Sequence, residues 1–301
     1  MPSITPPTLL NGDTIAIVSP ASAVDSHYIE GAAAAIQRVG FKPLILEHAA
    51  GQHGSYSGTE AERLEDLQSA LDNPQVKAIL CSRGGYGVVH LLPNLRLSQP
   101  KWIIGFSDIS ALHALCQVNG WQSIHASMAK ELSLQRCENN EANNRLFEIL
   151  RTGIMPDIEY PTQKGSIEGS TKGKLVGGNL AVLDGLIGTP YNIINKDTIL
   201  VLEDIAEPIY KVERMLRRLR LAGILQNLRG LIIGQFTEYK PSLDYQDMYS
   251  MIAKEVADLK FPVSLGAPIG HVDNNLPFIE GAEINFTVDS HHTTVRQILS
   301  K

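Results

Sequence analysis

The residues best suited to chemistry begin with Ser107 and Asp108, inside the stretch Lys101–Cys116, KWIIGFSDISALHALC. Trp102, Ile103 and Ile104 make a short apolar run of the length expected for a buried strand. Gly105 to Asp108 breaks that run, and from Ile109 the apolar residues Ile109, Leu112, Leu115 and Cys116 recur at helical spacing. Ser107 is therefore expected where a strand gives way to a helix. Such a turn lifts a side chain to the top of a sheet, beside helix N-terminal N–H groups. A nucleophilic serine with an oxyanion site can be built there. Ser107 and Asp108 are equally good N-caps for the helix, and the stretch alone leaves both readings open.

A nucleophilic serine needs a base to take its proton and an acidic group to orient that base. His271 is the one histidine in a loop of turn residues, Gly266–Phe278, GAPIGHVDNNLPF. Glu203 follows the apolar run Ile199–Leu202, where packing explains a carboxylate poorly. The order Ser107, Glu203, His271 is compatible with a triad, which is defined by geometry and not by order. Taken singly, Glu203 also reads as a solvated strand end and His271 as a surface loop residue. His90, His113 and His125 lie in periodic apolar surroundings and read as structural, and His291-His292 as a surface pair. Ser82-Arg83-Gly84-Gly85-Tyr86-Gly87 follows another apolar run, Val76–Cys81. Clustered glycines let backbone N–H groups approach a ligand, as an oxyanion donor or a cradle for a carboxylate or phosphate. A tight turn is the competing reading. The spacing matches neither a dinucleotide fingerprint nor a P-loop.

These residues need elements to hold them. Apolar strands are expected at 14–19, 41–46, 76–81 and 102–106, alternating with helices at 25–39 and 59–71. Thr59-Glu60-Ala61-Glu62 opens the second helix as a capping box. This alternation predicts α/β architecture with a mostly parallel sheet, in which ligands bind beyond the carboxyl ends of the strands. From Thr152 to Gly173 the chain turns rich in Gly, Pro, Ser and Thr and reads as a linker. The expected division is residues 1–152, a linker at 153–172, and residues 173–301. The second part is expected to hold a turn at Gly177-Gly178-Asn179 before a short helix, strands at 199–202, 228–236 and 283–288, and helices at 209–222 and 245–259. Val212, Met215, Leu216 and Leu219 share one face of the first of these helices. Its arginines, Arg214, Arg217, Arg218 and Arg220, read as a solvated or salt-bridged face.

The 301 residues carry a formal net charge of −6, with 44% hydrophobic and 19% charged residues. That balance speaks against nucleic acid and anionic membrane as partners. The cysteines, Cys81, Cys116 and Cys137, lack metal-site spacing and imply neither a disulfide framework nor a zinc site, which fits a reducing compartment. The N-terminal MPSITPPTLLNGDTIAIVSP lacks a basic segment before a long apolar run, and no apolar stretch reaches membrane-spanning length. A soluble cytoplasmic protein is the expectation.

Over almost its whole length the chain resembles the LD-carboxypeptidase family, serine peptidases that include murein tetrapeptide carboxypeptidases and microcin-immunity peptidases. The resemblance rests on SRGGYG (Ser82–Gly87), GFSDIS (Gly105–Ser110), GGNL (Gly177–Leu180), LED (Leu202–Asp204), YKVERMLRRL (Tyr210–Leu219) and GHVDNNLPF (Gly270–Phe278), in that order. It implies Ser107 as nucleophile, His271 as general base and Glu203 as its orienting acid. It further implies an oxyanion hole from the backbone N–H groups of Asp108 and Gly85, with Arg83, Gly84 and Tyr86 as substrate-side residues. By charge, Arg83 is a candidate to place the carboxylate of the D-residue. The implied fold is an N-terminal flavodoxin-like α/β sandwich plus a C-terminal domain built around a small β-barrel, with the site between them. No metal or cofactor is implied, and a homodimer is. The implied substrate is the cytoplasmic muropeptide L-Ala-γ-D-Glu-meso-diaminopimelate-D-Ala, cut before its terminal D-Ala to return a tripeptide for cell-wall recycling.

One departure is visible: His125-Ala126-Ser127-Met128 stands where many members carry His-Gly-Pro-Met, which bears on the pocket wall. A microcin-immunity-like enzyme acting on a peptidyl- or aminoacyl-nucleotide amide would need a stacking platform, and Trp102 and Trp121 suggest none. A non-catalytic muropeptide-binding protein would be free to lose Ser107, Glu203 or His271. A general lipase is disfavoured because Gly105-Phe106-Ser107-Asp108-Ile109 is not a GxSxG elbow.

Overall fold

The computed structural model describes residues 3–133 and 140–299, so Cys137 lies outside the described residues. The chain divides into two compact units, residues 1–155 with 276–280, and residues 156–275 with 281–301.

The first unit alternates strand and helix as the periodicity predicts: β1 (Thr14–Val18), α1 (Ser26–Arg38), β2 (Lys42–Ile45), α2 (Glu60–Asp72), β3 (Val76–Cys81), α3 (Val88–Leu91), β4 (Trp102–Gly105), α4 (Ser110–Val118) and β5 (Ser123–His125). Two further helices, α5 (Ala129–Ser133) and α6 (Glu141–Thr152), follow. Near-continuous apolar strands such as TIAIV and VKAILC suit a parallel sheet covered on both faces. The strands run parallel in the order β5-β4-β3-β1-β2. A strand from late in the chain, β11 (Phe278–Glu280), adds antiparallel to β5, with Phe278 opposite His125. Helix α1 turns Ile29, Ala32, Ala35 and Ile36 inward, one face at three- and four-residue spacing. The capping box forms: Thr59 N–H donates to Glu62 Oε2 at 2.7 Å, and Glu62 N–H to Thr59 Oγ1 at 3.3 Å.

The second unit holds β6 (Ile158–Pro161), β7 (Gly169–Asn179), α7 (Leu180–Leu186), β8 (Thr198–Ile205), α8 (Ile209–Leu221), β9 (Gly230–Thr237), α9 (Met248–Val256), β10 (Val263–Leu265), β12 (Glu283–Val288) and β13 (His292–Gln297). Its mixed sheet has the order β10-β9-β8-β7-β12-β13-β6. The two ends of that sheet approach one another, because Tyr160 and Ser264 hydroxyls meet at 2.6 Å and Ile167 bridges Val263. Strands β6, β7, β10 and β13 lie outside the strands expected from the sequence. Gly177-Gly178-Asn179 completes β7 instead of forming a turn, and β13 begins at His292 of the expected surface pair. The arginine face of α8 is salt-bridged as expected: Arg217 to Glu255, Arg218 to Asp184 and Arg220 to Asp258, at 2.6–2.8 Å. Among the described residues no helix is long and apolar enough to cross a membrane.

Candidate active site

In the first unit, β4 ends at Gly105 and the chain makes a 3-10 turn over Ser107–Ile109 before entering α4. Ser107 has φ 64°, a left-handed conformation that costs an L-residue energy and is found where surroundings enforce it. No side chain caps either the turn or α4, so the N-cap reading of Ser107 and Asp108 does not hold for this helix. Asp108 instead reaches sideways: its buried Oδ2 accepts the Val88 N–H at 3.0 Å, at the start of α3. The N–H of Asp108, in the first turn, has no carbonyl a turn behind it to bond.

The glycine loop packs directly on this turn. A Cβ on Gly84 would fall 2.8 Å from Ser107 Cβ, 2.9 Å from Ser107 Oγ and 3.2 Å from the Asp108 nitrogen, so only glycine fits. Gly85 has φ 103° and lies against the Ser22 side chain. Ser22 clasps the loop, its N–H donating to the Gly84 carbonyl at 3.2 Å and its Oγ accepting from Tyr86 N–H at 3.3 Å. Buried Arg63 donates from Nη1 to the carbonyls of Pro20 (2.7 Å) and Gly87 (3.0 Å), tying the end of β1 to the loop. Tyr86 is exposed, with its ring edge-on to His90 at 5.2 Å.

His113 braces the turn from beneath. Burial pushes its pKa down to about 4, so near neutrality the ring carries one proton. A carbonyl only accepts, so Nε2 donates to the Gly105 oxygen (2.9 Å) and Nδ1 accepts from Ser123 Oγ (2.9 Å). Burial pushes the Asp108 carboxyl up to about 6.

In the second unit, β8 continues past Leu202 through Glu203 and Asp204 to Ile205. The register with β9 shifts there, from Leu202 opposite Ile233 to Asp204 opposite Phe236. Glu203 thus stands against two residues of β9, Gly234 and Gln235, so β9 bulges beside the carboxylate. That carboxylate is fully buried, and Oε2 lies 2.7 Å from His271 Nδ1. Two glycines permit the approach. On Gly270 (φ 124°) a Cβ would meet Glu203 Cβ and Oε2 at 2.9 Å, and on Gly234 it would meet Glu203 Cβ at 3.2 Å and the Ile269 carbonyl at 2.5 Å. Buried Asn275 fixes the loop by accepting the Gly270 N–H at 2.8 Å. The neighbouring Asp204 accepts from Asn179 Nδ2 (2.8 Å) and from the N–H groups of Ala181 (3.0 Å) and Ile205 (2.8 Å), joining β8 to the start of α7. Burial raises its carboxyl to about 6.

A carboxylate on Nδ1 fixes the imidazole proton there and leaves Nε2 as an acceptor, the arrangement a general base requires. Residues 15–126 match the model for the LD-carboxypeptidase N-terminal domain, and residues 172–286 that for the LD-carboxypeptidase C-terminal domain. The murein tetrapeptide carboxypeptidase of Pseudomonas aeruginosa is 31% identical over 272 residues, covering 87% of this chain and 89% of its own. The chain belongs to the LD-carboxypeptidase family. Its fold is shared with the muramoyltetrapeptide carboxypeptidase of Oxalobacter formigenes (TM-score 0.83, 25% identity, covering 95% of this chain and all of that one). It is shared too with the microcin C7 self-immunity protein MccF (TM-score 0.87, 21% identity, covering 99% of this chain and all of that one). As a member of this peptidase family the chain is a hydrolase of peptide bonds.

Within this LD-carboxypeptidase the sequence-predicted residues gather into two groups. Ser107, Asp108, Gly84 and Gly85 come together in the first unit, and Glu203 and His271 in the second. The departure at His125–Met128 is buried behind the serine turn: Ala126 N–H donates to the Gly105 carbonyl at 3.0 Å, and the His125 ring stacks on Phe278 at 4.7 Å. Sequence reasoning missed Arg63, the Asp108 carboxylate, His113 as a brace, and Asn275. For Arg63 a signal existed, since it shares the buried face of α2 with Leu67, Ala70 and Leu71.

Proposed function

We propose that this protein is a serine LD-carboxypeptidase that removes the terminal D-Ala from L-Ala-γ-D-Glu-meso-diaminopimelate-D-Ala. Ser107 Oγ attacks the diaminopimelate carbonyl while His271 Nε2 takes its proton, with Glu203 holding the Nδ1–H. The N–H groups of Asp108 and Gly85 stabilise the oxyanion. Collapse of the tetrahedral species breaks the C–N bond, and His271 gives its proton to the departing D-Ala nitrogen. Water, deprotonated by His271, then splits the ester and regenerates Ser107. The chemistry needs neither metal nor organic cofactor. The observation that carries this reading is the 2.7 Å contact between His271 and the buried Glu203. The family and the tetrapeptide-cleaving relative support the substrate class. In this reading the enzyme acts as a cytoplasmic homodimer in cell-wall recycling.

The test is D-Ala release from the purified tetrapeptide by the parent and by Ser107→Ala. Release by the parent alone supports the assignment. Release that survives the substitution removes Ser107 from the mechanism. No release by the parent sinks the tetrapeptide and moves the search to aminoacyl-nucleotide amides.

A further inference from the structure

The parallel sheet of the first unit reverses its direction of growth at β1, with β3 on one side and β2 on the other. In open α/β sheets the crevice beyond the carboxyl ends at such a reversal is where ligands bind. A cavity of about 620 Å³ opens there. Ser22 and Asp25 line it from the segment after β1, Gln52 from that after β2 and Arg83 from that after β3, with Tyr28 of α1 and Lys130 of α5.

Three of these side chains are charged, and among the described residues Asp25, Arg83 and Lys130 form no ion pair with one another or with any other group. Arg83 is steered by donating from Nη1 to the Ala23 carbonyl at 2.8 Å, which leaves its other N–H groups for a ligand. Asp25 stands at the start of α1, yet its carboxylate makes no capping bond to the helix. The wall therefore offers cations and a carboxylate that do not neutralise each other. Its complement is a group carrying a carboxylate and an ammonium on one carbon, a free amino-acid centre.

Resting on the peptidase reading above, we infer that this cavity is the subsite for the free amino-acid end of the diaminopimelate side chain. Arg83 and Lys130 hold its carboxylate and Asp25 its ammonium. Arg83 is followed directly by Gly84, which packs on Ser107. The cavity thus begins one residue from the serine assigned to attack the diaminopimelate carbonyl, and a short run of methylene groups links that carbonyl to the distal centre. Arg83 is thereby assigned to the side chain of the penultimate residue, not to the terminal D-Ala carboxylate. The cavity selects diaminopimelate over lysine, whose side chain ends in an ammonium without a carboxylate.

The experiment compares kcat/KM for D-Ala release from the diaminopimelate tetrapeptide and from its lysine counterpart. The parent is expected to prefer diaminopimelate by at least about tenfold, the worth of one charged hydrogen bond. Lys130→Ala and Arg83→Gln each pull that ratio down by about tenfold, and Arg83→Lys restores part of it. Asp25→Asn weakens turnover of both peptides and leaves the ratio in place. Lys130 is an exposed helical residue, so its variant tests the subsite even if Arg83→Gln disturbs the glycine loop. A parent without preference, or equal losses on both peptides in Lys130→Ala and Arg83→Gln, overturns the subsite while D-Ala release stands. A parent that releases D-Ala from neither peptide overturns the peptidase reading and the subsite together.

Discussion

His271 Nδ1 and Glu203 Oε2 lie 2.7 Å apart, with the carboxylate fully buried and the imidazole keeping 15% of its side-chain surface. A fully buried carboxylate is costly unless a partner compensates it, and His271 is that partner. The pairing sets the tautomer: Nδ1 must carry the proton, which makes Nε2 an acceptor.

Glu203→Gln tests this relationship with little change of shape. An amide can donate to Nδ1, which moves the ring proton to Nε2 and blocks acceptance from the serine. We expect kcat to fall by roughly 10³- to 10⁴-fold, with KM far less affected, as for a triad that has lost its orienting acid. Steady-state D-Ala release by the purified variant checks it. A loss confined to KM would mean that Glu203 shapes binding and does not orient the base.

Gly84→Ala probes the other half of the site. The new Cβ would sit 2.8 Å from Ser107 Cβ, so the serine turn or the glycine loop must move. Overpacking of this kind costs about 1–3 kcal/mol in stability. Displacement of the reacting oxygen by about an ångström should lower kcat/KM by about 100-fold or more. Gly185→Ala is the control. That glycine is exposed in α7 with nothing within 4 Å of the added carbon, so the helix should gain roughly 0.5–1 kcal/mol and activity should hold. Chemical denaturation and D-Ala release, measured on both variants, separate the two expectations.

Strands β1, β3 and β4 of the first unit were legible because each is buried almost throughout and reads as a near-continuous apolar run. β7 was hidden for the opposite reason. It carries glycines and polar residues (GSTKGKLVGGN) whose burial alternates only weakly at its start, so composition mimics a linker. At Gly177 a Cβ would strike the Val201 backbone, which makes the glycine a packing requirement of β7 against β8 and not a turn marker. Ser107 and Glu203 could be found because each breaks or ends an apolar run, and His271 because it stands in a loop of turn residues outside any periodic segment. Arg63, His113 and Asn275 could not be assigned in that way, since their partners are backbone carbonyls and N–H groups far away in sequence. The cavity walled by Asp25, Arg83 and Lys130 draws on segments after three strands and on α5, which only the strand order brings together.

Asp108 makes stability depend on pH. Burial raises its carboxyl from 3.8 to about 6, so between those values the folded protein holds a proton that the unfolded chain has lost. Its contribution is fully present below pH 3.8 and is lost as pH rises through about 6. The swing is about 3 kcal/mol, from the shift at 1.36 kcal/mol per unit. Asp108→Asn removes the titration, so the stability of the variant relative to the parent should rise by up to about that amount from pH 4 to pH 7. Urea midpoints across this range test it, and a constant difference would contradict it.

His113 acts in the opposite direction over an overlapping window. Its folded value of about 4 lies below the ordinary 6.5, so the unfolded chain binds the extra proton between them. Stability from the neutral ring is whole above pH 6.5 and is lost as pH falls toward 4, by roughly 3 kcal/mol. In the parent this slope offsets that of Asp108. His113→Gln keeps a donor near the Gly105 carbonyl and cannot titrate, so relative to the parent the variant should gain roughly 3 kcal/mol of stability as pH falls from 6.5 to 4. The double variant His113→Gln with Asp108→Asn should lose both slopes. If His113→Gln follows the parent profile throughout, protonation of the buried ring does not limit acid stability, and another group must set it.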